Sequence, residues 1–317
     1  MFIEQAYKAK TDWWRYLVGI LIIFLGWQLL GIIPLTVVAY LAAGSFEVFF
    51  EAAQNNFMDL PIDPNLFLLL LIITFTCGLL GLWFSVRYIH KQSFKDVTTA
   101  RKTVDWSRIW FAFFMVIAIN LPLFIIGYLL EPEIFVWNFD LIPFLILCAI
   151  AFLFLPLQTS FEEYLFRGYL MQGIGMLAKN RWVPLIFTSV LFGLLHSLNP
   201  EVEKLGYIMM VFYIGTGFLL GIMTLMDDGM ELALGFHAAN NIFAAILVTA
   251  DWTAFQVPAL FRDISEPSAG FDIVTPVVVI YPIYLFILAR KYRWTDWKNK
   301  LFGKVEKPQT LKPSEEF

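Results

Sequence analysis

Glu162, Glu163 and Arg167 are ionisable groups set inside an apolar stretch that reads FLFLPLQTSFEEYLFRGYLMQGIGML from Phe152 to Leu177. An ionised group at the centre of a bilayer costs about 2.5–3.5 kcal/mol on insertion scales. Such groups are retained where they face a bundle interior or a wet cavity, and there they mark function. Glu163 and Arg167 stand four residues apart, acid before base, so on a helix they share a face and pair in the favourable order. Glu162 points about 100° away from Glu163 on the same helix. The spacing predicts a division of labour: Glu163 is tied to Arg167, while Glu162 faces a cavity as a general base.

Two further apolar runs carry polar groups. In FGLLH, Phe192 lies one turn before His196 and would shield the imidazole from lipid. In HAANN, His237 and Asn241 are again four apart on one face. The third histidine, His90, sits in a basic loop and reads as a surface residue. Taken singly, each feature has a structural explanation: a Glu–Arg staple, or a histidine or asparagine bonding between helices. Together, a free carboxylate, two imidazoles and a carboxamide suffice to activate water and hold an oxyanion. Glu162, His196 and His237 would also suffice as protein ligands of a catalytic zinc. Their spacing is not the H-E-x-x-H pattern of zinc proteases. The expectation is direct activation of water with no cofactor, a divalent metal such as zinc being the alternative.

The elements that must position these groups are membrane helices. The chain is 59% hydrophobic and 15% charged, with a mean hydropathy of +0.71, whereas soluble domains are nearer about 45–50% apolar and 25% charged. A net charge of −4 argues against nucleic acid as a partner. One crossing takes about 20 apolar residues. Eight candidates follow: Tyr16–Ala43, Leu66–Val86, Ile109–Leu130, Leu141–Leu157, Trp182–His196, Leu205–Met226, Leu232–Ala250 and Ile273–Ala289. Pro34 should kink the first. The expected fold is all-α and polytopic, with about eight transmembrane helices around a buried polar site. One integral domain spans 1–289, with a catalytic core at about 152–247 and a basic cytosolic tail at 290–317.

Charge asymmetry sets the expected orientation. With both termini in the cytosol, inner segments hold 20 of the 22 basic residues, Arg167 included, and only Lys204 and Arg262 fall outside. The expected location is a bacterial plasma membrane. Ser45–Asn65 reads as an outer interfacial helix or loop, and Asp251–Asp272 as an outer loop. Trp294 and Trp297 are placed to anchor the tail at the inner interface, and the last ten residues are expected to be disordered.

The ordered set Glu162-Glu163…Arg167, Phe192…His196 and His237…Asn241 resembles the CAAX-protease and bacteriocin-processing family of intramembrane endopeptidases, also called the abortive-infection family. Phe166, Gly168 and Gly193 match in the flanks, and the resemblance covers about a third of the chain, Phe152 to Leu247. It implies a type II CAAX prenyl endopeptidase-like membrane protease. Its substrate would be a membrane-associated peptide or lipoprotein, lipidated and CAAX-like in eukaryotic relatives. Carried over by position, Glu162 and His196 would activate water, and His237 and Asn241 would stabilise the oxyanion. Glu163, Arg167 and Phe192 would support the site. Two other functions fit a buried polar set less well: a non-catalytic membrane immunity or scaffold protein that binds a peptide, and a transporter.

Straight crossings do not bring His196 and His237 to one level, because about 22 residues at 1.5 Å separate the two membrane faces. A break near Pro156, a short helix from Pro184, or re-entry of Asp227–Gly235 is therefore expected. The resulting polar pocket is expected to open to the cytosol.

Overall fold

A computed structural model describes residues 1–308, the side chain of Asp272 aside; the expected disorder of the last ten residues thus falls, but for Pro308, outside the described residues. The chain runs as α1 (Trp13–Ala43), a short α2 (Phe46–Ala53), α3 (Pro64–Ile89), α4 (Trp106–Leu130) and α5 (Leu141–Ala178). There follow α6 (Trp182–Leu195), a short α7 (Pro200–Leu205), α8 (Met209–Asp227), α9 (Glu231–Leu247), α10 (Ile273–Tyr292) and a short α11 (Trp297–Phe302). Of these, α1, α3, α4, α5, α8 and α10 are long and apolar enough to cross a membrane, and α6 and α9 are apolar but shorter. The protein is an all-α polytopic membrane protein. Apolar side chains surround the long helices on every side, as expected where lipid replaces water. Leu17, Leu21 and Leu41 on α1 and Leu129 and Leu130 on α4 face outward with nothing to cover them. Among the described residues the one sheet is small, three strands in the order β1 (Phe135–Trp137), β3 (Phe261–Asp263), β2 (Val248–Thr249). β1 and β3 lie between the expected crossings, whereas β2 takes up the end of the expected Leu232–Ala250 crossing, where α9 has already stopped at Leu247.

Of the alternatives expected, the break near Pro156 and the short helix at Pro184 are present, and α1 is broken near Pro34 as well. α1 breaks at Gly31–Ile32, just ahead of Pro34, and α5 breaks at Phe154, two residues before Pro156. α6, with Pro184 in its first turn, runs only 14 residues. The turn between α8 and α9 is drawn into the protein, with Asp227, Gly229 and Met230 buried. A break costs backbone hydrogen bonds that lipid cannot replace, so it is tolerated only inside protein or beside a wet cavity. In contrast to the sequence reading, the fourth helix does not end near Leu157. It bends and continues through the Glu162–Glu163 doublet to Ala178.

The N-terminus, the loop after α3, the α8–α9 turn and the tail meet at one end of the bundle. Arg101 contacts Asp227 (Nη2–Oδ2, 2.8 Å) and Glu231 (Nη1–Oε2, 3.0 Å), and Arg108 contacts Asp227 (2.6 Å). The Phe2 amide donates to Asp228, and the Met230 amide donates to the Thr98 carbonyl. Lys300 pairs with Asp228. An acidic turn with no cation of its own is thus neutralised by cations from three other segments. Trp294 is buried and donates its indole N–H to Asp227 (3.2 Å), so it clamps this turn rather than anchoring in lipid.

His90 also departs from the sequence reading. It is 1% exposed rather than a surface residue, because the N-terminal segment folds over its loop. Its Nδ1–H donates to the Lys10 carbonyl (2.9 Å), leaving Nε2 to accept from the Tyr169 hydroxyl (2.8 Å). Burial pushes its pKa below the ordinary 6.5. The unfolded chain then binds the proton more tightly, so stability is complete above about pH 6.5 and falls as pH drops towards the folded-state value. Thermal unfolding in detergent should show this acid-side loss, and His90→Leu should flatten it while lowering stability at neutral pH by about 1–3 kcal/mol, because the Tyr169 hydroxyl loses its partner.

Candidate active site

Three helices deliver the polar groups to one cavity of about 450 Å³. Glu162 and Glu163 close the straight α-helical run of α5 that begins at Leu155, and a π-helical stretch follows at Tyr164–Leu170. Such local widening often accompanies functional sites. His196 caps the C-terminal end of α6, and His237 and Asn241 lie on α9. Glu162, Phe192, His196, His237, Asn240 and Asn241 all line the cavity, together with apolar groups from α1, α3 and α8. Glu163 and Arg167 sit behind its wall.

The ion pair read from the spacing is present. Arg167 Nη1 lies 3.1 Å from Glu163 Oε1, with both side chains at 0% exposure. Arg167 also donates to the Gly217 carbonyl (3.2 Å) and stacks over the Phe192 ring at 4.4 Å. It is therefore part of the site, not one of the cations of a membrane face. Glu163 makes a second contact that the spacing did not reveal, accepting from His237 Nδ1 at 2.8 Å. That bond leaves His237 Nε2 facing Glu162 Oε2 at 3.5 Å. The other oxygen of Glu162 accepts from Gln158 Nε2 at 3.0 Å, and Oε2 is buried with no hydrogen-bond partner among the described residues. A buried acceptor left open costs about 1–3 kcal/mol, so the fold holds this oxygen ready for a bond supplied from the cavity.

His196 is fixed differently. Its Nδ1 lies 2.8 Å from the Phe192 carbonyl, which can only accept, so Nδ1 carries the hydrogen and Nε2 keeps its lone pair. The ring stacks on Tyr213 (4.4 Å, 22°), whose hydroxyl accepts from Asn199. Phe192 touches both imidazoles, with ring centroids 4.7 Å from His196 and 5.9 Å from His237. It separates them rather than only walling one from lipid. Asn241 donates weakly to Gln158 Oε1 (3.4 Å), which makes Gln158 a bridge between Glu162 and the carboxamide. Sequence reasoning missed Gln158, although it lies four residues before Glu162 on the same face. Tyr213 carried no sequence signal. Among the described residues, no three His, Cys, Asp or Glu side chains stand at metal-binding spacing, so Glu162, His196 and His237 share a cavity without converging as a ligand set.

The family model of the Rce1-like type II CAAX prenyl endopeptidases matches residues 137–243, a span holding Glu162, His196, His237 and Asn241. The uncharacterized protein YyaK of Bacillus subtilis (strain 168) is 31% identical over 258 residues, 80% of this chain and 84% of that protein. The chain belongs to the Rce1-like family. That membership points to a CAAX-type intramembrane protease, and the apolar helices are those of a multi-pass membrane protein. No solved structure matches the chain. The Rce1-like match ends four residues before Leu247, and α1 to α4, α10 and the tail lie beyond it.

Close helix approach holds the arrangement. A Cβ on Gly217 would lie 2.6 Å from the Ser189 carbonyl oxygen of α6, so α6 and α8 meet through backbone at the residue whose carbonyl binds Arg167. Gly217→Val should therefore force the two helices apart, costing about 1–3 kcal/mol in thermal unfolding and lowering activity through Arg167.

The cavity lining reaches one end of the bundle and not the other. Asn199, Glu201, Ala254 and Phe255 form the far wall, and these residues belong to segments at the end opposite the two termini.

Proposed function

We propose that the cavity hydrolyses a peptide bond in a membrane-associated peptide or lipoprotein, with Glu162 as the general base. The observation that carries the reading is the buried, unpartnered Oε2 of Glu162, aimed into a cavity shared with two imidazoles and a carboxamide. Water takes position between Glu162 and the lone pair of His196 Nε2. Its proton passes to the carboxylate as the oxygen attacks the carbonyl carbon. His237 is held by Glu163 through Nδ1, and a protonated Nε2 would then donate to the developing oxyanion. The Asn241 carboxamide supplies a second N–H. Collapse of the intermediate breaks the C–N bond, and protonated Glu162 returns its proton to the leaving amine.

No metal takes part in this reading, and chelation of purified enzyme should leave cleavage unchanged. A mainly apolar cleft of about 320 Å³ adjoins the cavity and shares Trp27, Leu71, Phe75, Asn199 and Ala254 with it, which suits a substrate carrying a hydrophobic or lipid segment. The test is a comparison of peptide termini in membranes from cells with wild-type protein and with Glu162→Gln. New termini present only with the wild type are expected. Identical sets of termini, with both proteins equally abundant, would remove the proposal.

A further inference from the structure

We infer that the cavity is loaded from the outer face of the membrane, so that its substrate is a translocated peptide tethered at the outer leaflet. This inference takes the proposed proteolysis as its starting point for the word substrate; the access route itself stands on geometry and charge alone.

The cavity is closed at one end of the bundle and reached from the other. None of its lining residues comes from 1–15, 87–108, 179–181, 227–231 or 290–308. Those segments form the plug described above, in which Phe2, Thr99, Met230 and Arg181 are buried and Arg101, Arg108 and Lys300 grip the α8–α9 turn. A peptide arriving from that side would have to break this network. At the opposite end Asn199 and Glu201 at the start of α7, with Ala254 and Phe255 after β2, line the mouth directly.

Charge says which end is which. The plug segments hold eighteen Lys and Arg against nine Asp and Glu. The opposite segments, 44–63, 131–140, 197–208 and 248–272, hold two against thirteen. Short segments rich in Lys and Arg stay in the cytosol, and that bias sets the orientation of the whole chain. Both termini are then cytosolic and the mouth faces out. Arg167, buried in the site, counts for neither end, and the asymmetry stands without it.

The same charges describe the peptide. At the mouth, Glu201 is held by the Ala254 amide on Oε1 (2.9 Å), and its Oε2 is buried without a partner. With that oxygen open at the mouth and thirteen carboxylates spread over the segments of this end, a Lys or Arg side chain is the complementary group. A basic outer-leaflet peptide fits this mouth; an acidic one is repelled.

The experiment uses the full chain in cells, with Cys77→Ala and Cys148→Ala removing the native thiols. Single cysteines are placed by Gln256→Cys beside the mouth and Lys304→Cys at the plugged end, both exposed positions. A membrane-impermeant maleimide is the probe. Labelling of the Gln256→Cys protein in intact cells, with the Lys304→Cys protein labelled only after permeabilisation, is expected. The reverse pattern overturns the inference. Cleavage is not measured here, so a failure of the access route and a failure of the proteolytic reading are told apart.

Discussion

Glu162→Gln is expected to reduce cleavage by about 10²–10⁴-fold, the usual worth of a positioned general base, while leaving the fold at least as stable as the wild type. The amide can still meet Gln158, and removing the charge relieves an oxygen that is buried with no partner. The two readouts together make the prediction specific. A carboxylate kept as a structural staple would give the opposite result, lost stability with activity falling only in proportion. Rates are read on a peptide found by terminus comparison, and stability by thermal unfolding of the same detergent preparation.

Arg167→Met should have the largest effect on stability. It strands Glu163, fully buried, with only His237 to balance its charge. Breaking one side of a buried pair costs about 3–5 kcal/mol, most of it the penalty for the charge left behind. The double variant Glu163→Gln with Arg167→Met should recover a large part of that loss, since neither buried charge then remains. Activity should not recover with it, because the carboxylate that holds His237 Nδ1 is gone. A double-mutant cycle of unfolding free energies, run beside the cleavage rates, measures both halves. Additive stability losses would mean that the two side chains do not depend on each other.

Local spacing accounts for what was readable before the fold. Glu163 and Arg167, Phe192 and His196, and His237 and Asn241 are each four apart, and a helix makes such pairs neighbours without help from the rest of the chain. The apolar windows likewise reveal eight helical segments, because lipid imposes length and composition directly. Contacts between helices were not readable. Nothing in the spacing of α5 or α9 shows that Glu163 would bind His237, or that Tyr213 would stack on His196. Gln158 was available, one turn before Glu162, but an uncharged amide beside a charged doublet gave no alarm. His90 was misread because a basic segment looks solvated until the N-terminus folds over it, and Trp294 because a tryptophan beside a crossing reads as an anchor until the acidic turn it binds is in place.

The most direct test of the account is a structure of the Glu162→Gln protein with an uncleaved peptide bound. The account predicts the scissile carbonyl carbon in the cavity, with a water between it and residue 162 at reacting distance, about 3–3.5 Å. The carbonyl oxygen should point to His237 and Asn241, and His196 Nε2 should face the water. A peptide seated elsewhere, or one whose carbonyl turns away from His237 with no water beside residue 162, would contradict it.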